Sequence, residues 1–360
     1  EMKIGVISSY ACIKAANNYG AVLQYFALQE YLKRRGHEVF WIRSVLPHSG
    51  VRIFLRHVKH YRSLPLLLRY YECHKKFFDF IGRYLNLSPS IYRKVSELAR
   101  NCPSADVYVA GSDQVWGGIQ PENYLRFVSE NNKKIAYAAS FGSKRLTPLQ
   151  LATIPQWIRE FRAVSVRESS GVEICRQMGV YAVHLLDPTL LLDAADYPAA
   201  DSGLPEGGMF CYLINLNNLD DVCFDAIEEY AVTNGLPLKV VSCQYSEVFF
   251  NRKYFLWLSP QQWLGSYKAA RCIVTNTFHG TVFALVYHKP FVAILQGGAY
   301  STQNERIISL LETFNLQHRI LRSKPQLGEL LETPIDWAGF EERKSEMKEK
   351  TDAFFRSVSL

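Results

Sequence analysis

The sequence predicts an α/β protein made of two Rossmann-like domains, with a cleft between them and a C-terminal helix. Three observations carry that reading. The runs KIGVIS, ADVYVA, KIAYAA and CIVT are continuously apolar rather than alternating, as parallel strands covered on both faces are. Several of these runs end in small polar residues, which marks strand C-terminal ends where such sheets bind ligands. The 360-residue chain is also too long for one small domain, and residues 194–208 (AADYPAADSGLPEGG) read as a linker between two α/β series. The expected divisions are 1–193, 194–208, 209–335 and a final helical segment, 336–360.

The composition, 48% hydrophobic and 21% charged, is that of a folded chain, and the formal net charge of +7 favours anionic partners. Eight cysteines are scattered singly with no CxxC pair, so neither a zinc site nor a disulfide framework is indicated. Reduced, mostly buried thiols in a cytosolic enzyme are expected, with no metal and no cofactor. EMKIGVIS runs directly into a strand without a signal-peptide apolar region, and no apolar run nears the roughly 20 residues that span a bilayer. A membrane role would then be peripheral.

In chain order, residues 3–8 form a strand and 20–34 a helix with a basic last turn, which Gly36 ends before the strand EVFWIR. The loop between, residues 9–19, exceeds the about 2–6 residues usual for such a connection, and long loops at strand ends tend to be functional. It holds no dinucleotide or P-loop fingerprint. Asn17, Asn18 and Tyr19, with Gly20 and Gln24 beside them, are candidates to bind a sugar or phosphate, unless an Asn there only caps the helix. Residues 51–80 mix seven Arg and Lys with many Leu, Phe and Tyr. This basic helical insertion lies on an anionic membrane surface, or it is a solvated basic face packed on the domain.

The strand at 105–110 runs into GSDQVWG, where Gly111 permits a tight turn and Ser112, Asp113 and Gln114 sit beside the crevice. Asp113 either orients or deprotonates a hydroxyl, or it caps the next turn. Ser140 and Phe141 form the tip after the strand at 134–139, and Arg167 follows the short strand at 164–166. Arg167 forks onto a carboxylate or phosphate, or it pairs structurally with Glu168. Asp187 before Pro188 reads as a rigid turn closing this half.

The second series runs strand 209–214, helix 220–234, strand 238–243, helix 260–270 and then RCIVTNTFHGTVFALVYHKPFVAILQ. That last stretch reads as strand 272–275, a polar turn with Asn276, Thr277, Phe278 and His279, a helix over 280–287, and strand 291–295. His279 and Gly280 then stand at a helix N-terminus, whose unpaired N–H groups and dipole favour a phosphate or carboxylate. His279 either supplies an acid there or only satisfies its own turn. NERIISLLETF, with Asn304 and Arg306, reads as a helix over 304–314, followed by a strand near 319–321 and an amphipathic helix over 341–358.

Taken in order, NNYGAVLQYFALQEYLKRRGHEV, YVAGSDQVW, YAASFG, SVRESS, LLDPTLLLD, TNTFHGTVFALVYHKPFVAI and NERIISLLETF resemble the polysaccharide pyruvyl transferases over nearly the whole chain. Each motif is weak alone; their order and spacing are specific. The resemblance implies a GT-B-like arrangement of the two domains. It also implies transfer of the enolpyruvyl unit of phosphoenolpyruvate onto a sugar hydroxyl pair as a pyruvate ketal, with a glycan or lipid-linked sugar as acceptor. By resemblance His279 matches the family's active-site histidine and Arg167 an arginine that contacts phosphoenolpyruvate. Some members carry a further donor-binding arginine two residues before the histidine, where this chain has Thr277. Another cation, such as Arg306, then takes over, or the donor differs.

Two alternatives are a GT-B-type glycosyltransferase using a nucleotide sugar and, from another class, a non-catalytic carbohydrate-binding subunit. Nucleic-acid binding is disfavoured, because the basic residues cluster in one insertion without a recognisable motif.

Overall fold

The structure is a computed structural model describing residues 1–45 and 50–360, with side chains there except those of Ala11, Cys12 and Ala15. Eleven described strands form two parallel sheets. The first contains β1 (Lys3–Ile7), β2 (Glu38–Ser44), β3 (Leu87–Tyr92), β4 (Val107–Ala110), β5 (Lys134–Ala139), β6 (Ala163–Val166) and β7 (Val183–His184), in the order β3-β2-β1-β4-β5-β6-β7. The second contains β8 (Met209–Tyr212), β9 (Leu238–Val241), β10 (Cys272–Thr275) and β11 (Phe291–Ala293), in the order β11-β10-β8-β9. Strand order reverses beside β1 in one sheet and beside β8 in the other. A doubly wound sheet opens a crevice at such a reversal, because the two flanking connections leave to opposite faces.

Both reversals are built from apolar strands with polar exits. β4, β5, β8 and β10 are buried along their whole length, and one hydrophobic cluster runs through both sheets. The joint is aromatic. Tyr19, at the start of the Tyr19–Arg34 helix, stacks on Trp263 (centroids 5.2 Å apart), meets Tyr212 edge-on and donates to the Leu258 carbonyl at 2.8 Å. Such ring pairs contribute about 0.5–1.5 kcal/mol beyond their buried area. Tyr19, expected as a substrate ligand, therefore belongs to the core joining the two sheets.

The C-terminal helix, Trp337–Ser357, returns to the first sheet. Phe355 packs on Tyr137 of β5, Arg35 pairs with Asp352 at 2.8 Å and Lys344 with Asp193 at 2.8 Å. Other elements differ from expectation. The long loop before Tyr19 contains a short helix, Tyr10–Ala15, and residues 319–321 give only an isolated bridge between Ala293 and Ile320 instead of a strand. β3 has no apolar run to announce it: it is a half-solvated edge strand with Pro89 in it, the position where a missing N–H is tolerated. The seven described cysteines are free thiols. Among the described residues, no helix is long and apolar enough to cross a membrane.

Candidate active site

The two strand-order reversals face each other across a cavity of about 230 Å³. From the first sheet, Ser9 follows β1 while Asp113 and Gln114 follow β4. From the second, Tyr212 and Ile214 come at the end of β8, and Thr277, Phe278 and His279 after β10. Thr277 caps the Phe278–Val286 helix by accepting from Gly280 N at 2.8 Å, so the helix N-terminus opens on this cavity. Gly280 is needed for that cap, since a Cβ there would stand 2.0 Å from Thr275 Oγ1 and 2.5 Å from Thr277 Oγ1. Asn276 ties the crevice shut behind it, accepting from Ile214 N and donating to Ile214 O.

The hub of the site is Asp187. Its Oδ2 accepts from Ser112 Oγ at 2.8 Å and Arg167 Nη1 at 2.9 Å, and lies 3.6 Å from His279 Nε2. Its Oδ1 accepts from Thr189 N at 3.0 Å, capping the Pro188–Leu190 turn. Arg167 also donates through Nε to Glu168 Oε1 at 3.0 Å and stands 3.5 Å from Asp113 Oδ1. The Phe278 ring covers the guanidinium, 4.1 Å from Cζ to centroid. Imidazole and guanidinium, from different sheets' connections, thus meet at one carboxylate oxygen.

This cage sets the ionisation of its members. Burial would raise the Asp187 carboxyl, but His279 and then Arg167 outweigh it and hold it far below the usual range. For Asp113 burial is again the largest influence, and Arg167, then His279 and Arg306, reverse it to give a lowered value. Arg167 is raised although burial opposes it, because Glu168, Asp187 and Asp113 surround it. Arg306 goes the other way: burial, then repulsion from Arg167, lowers it to about 10. Its only direct hydrogen-bond partners among the described residues are Gln303 O at 3.3 Å and Gln303 Oε1 at 2.8 Å. Asp113 also sits at φ 72°, a left-handed conformation uncommon outside glycine, with Ser9 Oγ donating to its Oδ2 at 3.0 Å. Strain of that kind at a cavity wall points to a functional constraint.

Of the residues singled out in the sequence, Asn18, Gly20, Asp113, Gln114, Thr277, Phe278, His279 and Arg306 line the cavity. Ser112, Ser140 and Arg167 lie behind the wall: Ser140 Oγ donates to Glu168 Oε1 at 2.8 Å and Arg167 is enclosed by carboxylates. Gly111 sets the wall's spacing, since a Cβ there would meet Val6 Cγ1 at 2.9 Å. The rest do not reach the cavity. Gln24 Nε2 bonds Ser8 Oγ at 2.6 Å, Phe141 packs on Trp116, and Asn304 holds Gln296 through two 2.8 Å backbone contacts. Sequence reasoning missed Asp187 as a functional group and the lining residues Ser9, Gln244, Gln296 and Gln303. A carboxylate capping a turn directly after an apolar run was the available signal for Asp187.

Gly20 has a role that no local pattern announces. A Cβ built there would lie 2.1 Å from His279 Nδ1, so the helix can approach the imidazole only without a side chain. Gly20→Ala is therefore expected to displace His279 and to lower turnover about a hundredfold, the scale of a misplacement near 1 Å, while thermal unfolding stays close to wild type.

A family model, polysaccharide pyruvyl transferase, matches residues 18–297. The chain belongs to this family. Among solved structures, a putative UDP-N-acetylglucosamine 2-epimerase from Listeria monocytogenes aligns over 97% of this chain and 91% of its own, at 10% identity and TM-score 0.51. UDP-GlcNAc 2-epimerase from Methanocaldococcus jannaschii, in complex with UDP-GlcNAc and UDP, aligns over 99% of this chain and 100% of its own, at 11% identity and TM-score 0.52. At such identity the likeness is one of fold. This polysaccharide pyruvyl transferase family member has the GT-B-like arrangement of two Rossmann-like domains. No curated protein matches the chain.

Proposed function

We propose that this polysaccharide pyruvyl transferase moves the enolpyruvyl group of phosphoenolpyruvate onto two hydroxyls of a glycan or lipid-linked precursor, in the cytoplasm, forming a pyruvate ketal. The observation that carries the reading is the meeting of His279, Asp113 and Arg306 in one small cavity at a helix N-terminus. In the reaction the donor's methylene carbon takes a proton, for which His279 in its charged form is the acid. One hydroxyl oxygen bonds to the donor's central carbon, the carbon–oxygen bond to phosphate breaks, and the second hydroxyl closes the ketal. The two hydroxyl protons end on the new methyl group and on the released phosphate, so no oxidant or further reactant is needed.

The cation for the donor is better assigned to Arg306 than to Arg167. Arg167 already faces three carboxylates, whereas Arg306 carries none in direct contact among the described residues and is held only through Gln303. An anion arriving beside Arg306 relieves the burial penalty that lowers its pKa. Asp113, ionised by its neighbours, accepts a hydrogen bond from an acceptor hydroxyl. Cavities for drug-sized ligands run from about 300 Å³ upwards; the 230 Å³ here suits a small donor better than a nucleotide sugar.

The test is incubation with phosphoenolpyruvate and a panel of lipid-linked and free galactosides and mannosides, reading phosphate release and product mass. Saturable binding of nucleotide sugars with none of phosphoenolpyruvate would favour glycosyl transfer instead, and tight sugar binding without turnover a non-catalytic subunit. Arg306→Gln is expected to weaken phosphoenolpyruvate binding by roughly ten- to a hundredfold in calorimetry, as loss of a hydrogen bond to a charged group does. Unchanged affinity would return the donor to another cation.

A further inference from the structure

The basic insertion folds as two helices, Gly50–Tyr61 and Leu64–Tyr84. The first has three distinct faces. Ile53, His57 and Tyr61, four residues apart, point into the protein and are buried. Beside that row Val51, Phe54, Leu55 and Val58, at the i, i+3, i+4, i+7 spacing of one helical stripe, are turned to solvent. Val51 is 69% and Leu55 59% exposed, and Leu64 and Leu68 of the second helix extend the patch at 67% and 54%. Arg52, Arg56 and Lys59 run along the stripe's other edge, with Arg62 and Arg69 beyond, all exposed. The sequence has no Asp or Glu from residue 39 through residue 71.

A solvated surface helix has no reason to present four apolar residues outward, and a protein partner recognised through apolar contact alone would not call for a cationic edge without acidic residues. Apolar side chains that enter the acyl boundary, with cations level with anionic headgroups, require both features together. We infer that this helical pair docks on the surface of an anionic lipid bilayer.

The insertion's inner side also touches residues next to the cavity lining. His60 stacks on Tyr245 with centroids 4.1 Å apart, next to the lining residue Gln244. Tyr61 donates to Glu247 at 3.0 Å, and His74 Nδ1 lies 2.7 Å from Asn17 Oδ1, beside the lining residue Asn18. Docking would therefore hold an element next to the cavity lining at the membrane, where a lipid-linked sugar is the acceptor. That consequence rests on the transferase reading; the docking itself does not.

The experiment is co-sedimentation with vesicles of phosphatidylglycerol and phosphatidylcholine in equal parts, against phosphatidylcholine alone. Two variants change only exposed side chains: Phe54→Ser with Leu55→Ser, and Arg52→Gln with Arg56→Gln and Lys59→Gln. The wild type is expected to partition onto the anionic vesicles, and each variant to lose about tenfold or more of that partitioning. Unfolding temperature and turnover on a soluble acceptor should not change in either. Equal partitioning of wild type and variants, equal binding to phosphatidylcholine alone, or no sedimentation at all would overturn the proposal. So would a wild-type dimer that dissociates in the Phe54→Ser, Leu55→Ser variant, which would make the stripe an interface between copies. Absence of turnover in a wild type that does sediment would count against the transferase reading and leave the docking face standing.

Discussion

His279→Ala is expected to lower phosphoenolpyruvate-dependent phosphate release by about a thousandfold, within the 10²–10⁴ range that a positioned general acid supplies. Several features single out this residue. Its ring sits at the N-terminus of the Phe278–Val286 helix, pressed against Gly20, with Nε2 directed within 3.6 Å of Asp187 Oδ2. Nε2 makes no hydrogen bond among the described residues, although it is buried. A group so placed is oriented by its neighbour and retains the capacity to bond a ligand. His279→Gln keeps a polar side chain of similar reach without an exchangeable acid, and should lose activity to the same degree while binding phosphoenolpyruvate within a few-fold of wild type. Retention of turnover within about tenfold, roughly 1.4 kcal/mol of barrier, would take the acid role from His279.

Arg167→Met should be the most destabilising single change at the site, by about 3–5 kcal/mol in denaturant unfolding at neutral pH, the cost of leaving buried charges uncompensated. Asp113, Glu168 and Asp187 would all lose the guanidinium at once. The effect has a defined pH dependence. Asp113 and Asp187 have folded pKa values below their unfolded ones, so they favour the fold above about pH 4 and lose that contribution as pH falls through the folded values. Without Arg167 those values rise, and the stabilisation present at neutral pH is lost first. The stability gap between wild type and variant is therefore expected to be widest near pH 7 and to narrow below about pH 4. A gap below about 1 kcal/mol at pH 7, the scale of an exposed ion pair, would contradict a desolvated cage.

How much of this was legible before the fold can be traced residue by residue. The strand, polar turn and helix around His279 were readable because each signal is local: a β-branched run, a Thr cap three residues before Gly280, and an apolar helix. Asp113 was readable for the same reason, as a small polar tip after a buried strand. Arg306 and Arg167 were both noticed, but their roles could not be ordered. That ordering depends on which cation is enclosed by carboxylates 20 or 54 residues distant in sequence, Arg167 to Asp187 and Arg167 to Asp113. Asp187 looked like a turn residue because its capping of Thr189 is what the local chain shows, while its contact with His279 exists only across the two sheets.

The sequence by itself determined the α/β class, the two sets of buried parallel strands, the helix N-terminus that carries His279 and the basic helical insertion. All of these follow from periodicity, capping and composition within a few residues. Tertiary structure alone decided that Tyr19 joins the sheets, that Gly20 yields its side-chain space to an imidazole, that the last helix returns to the first sheet, and that Arg306 lines the cavity while Arg167 pairs with carboxylates behind it. Those outcomes are set by which surfaces pack together and which charges are already neutralised, quantities defined by distance in space and not by spacing along the chain.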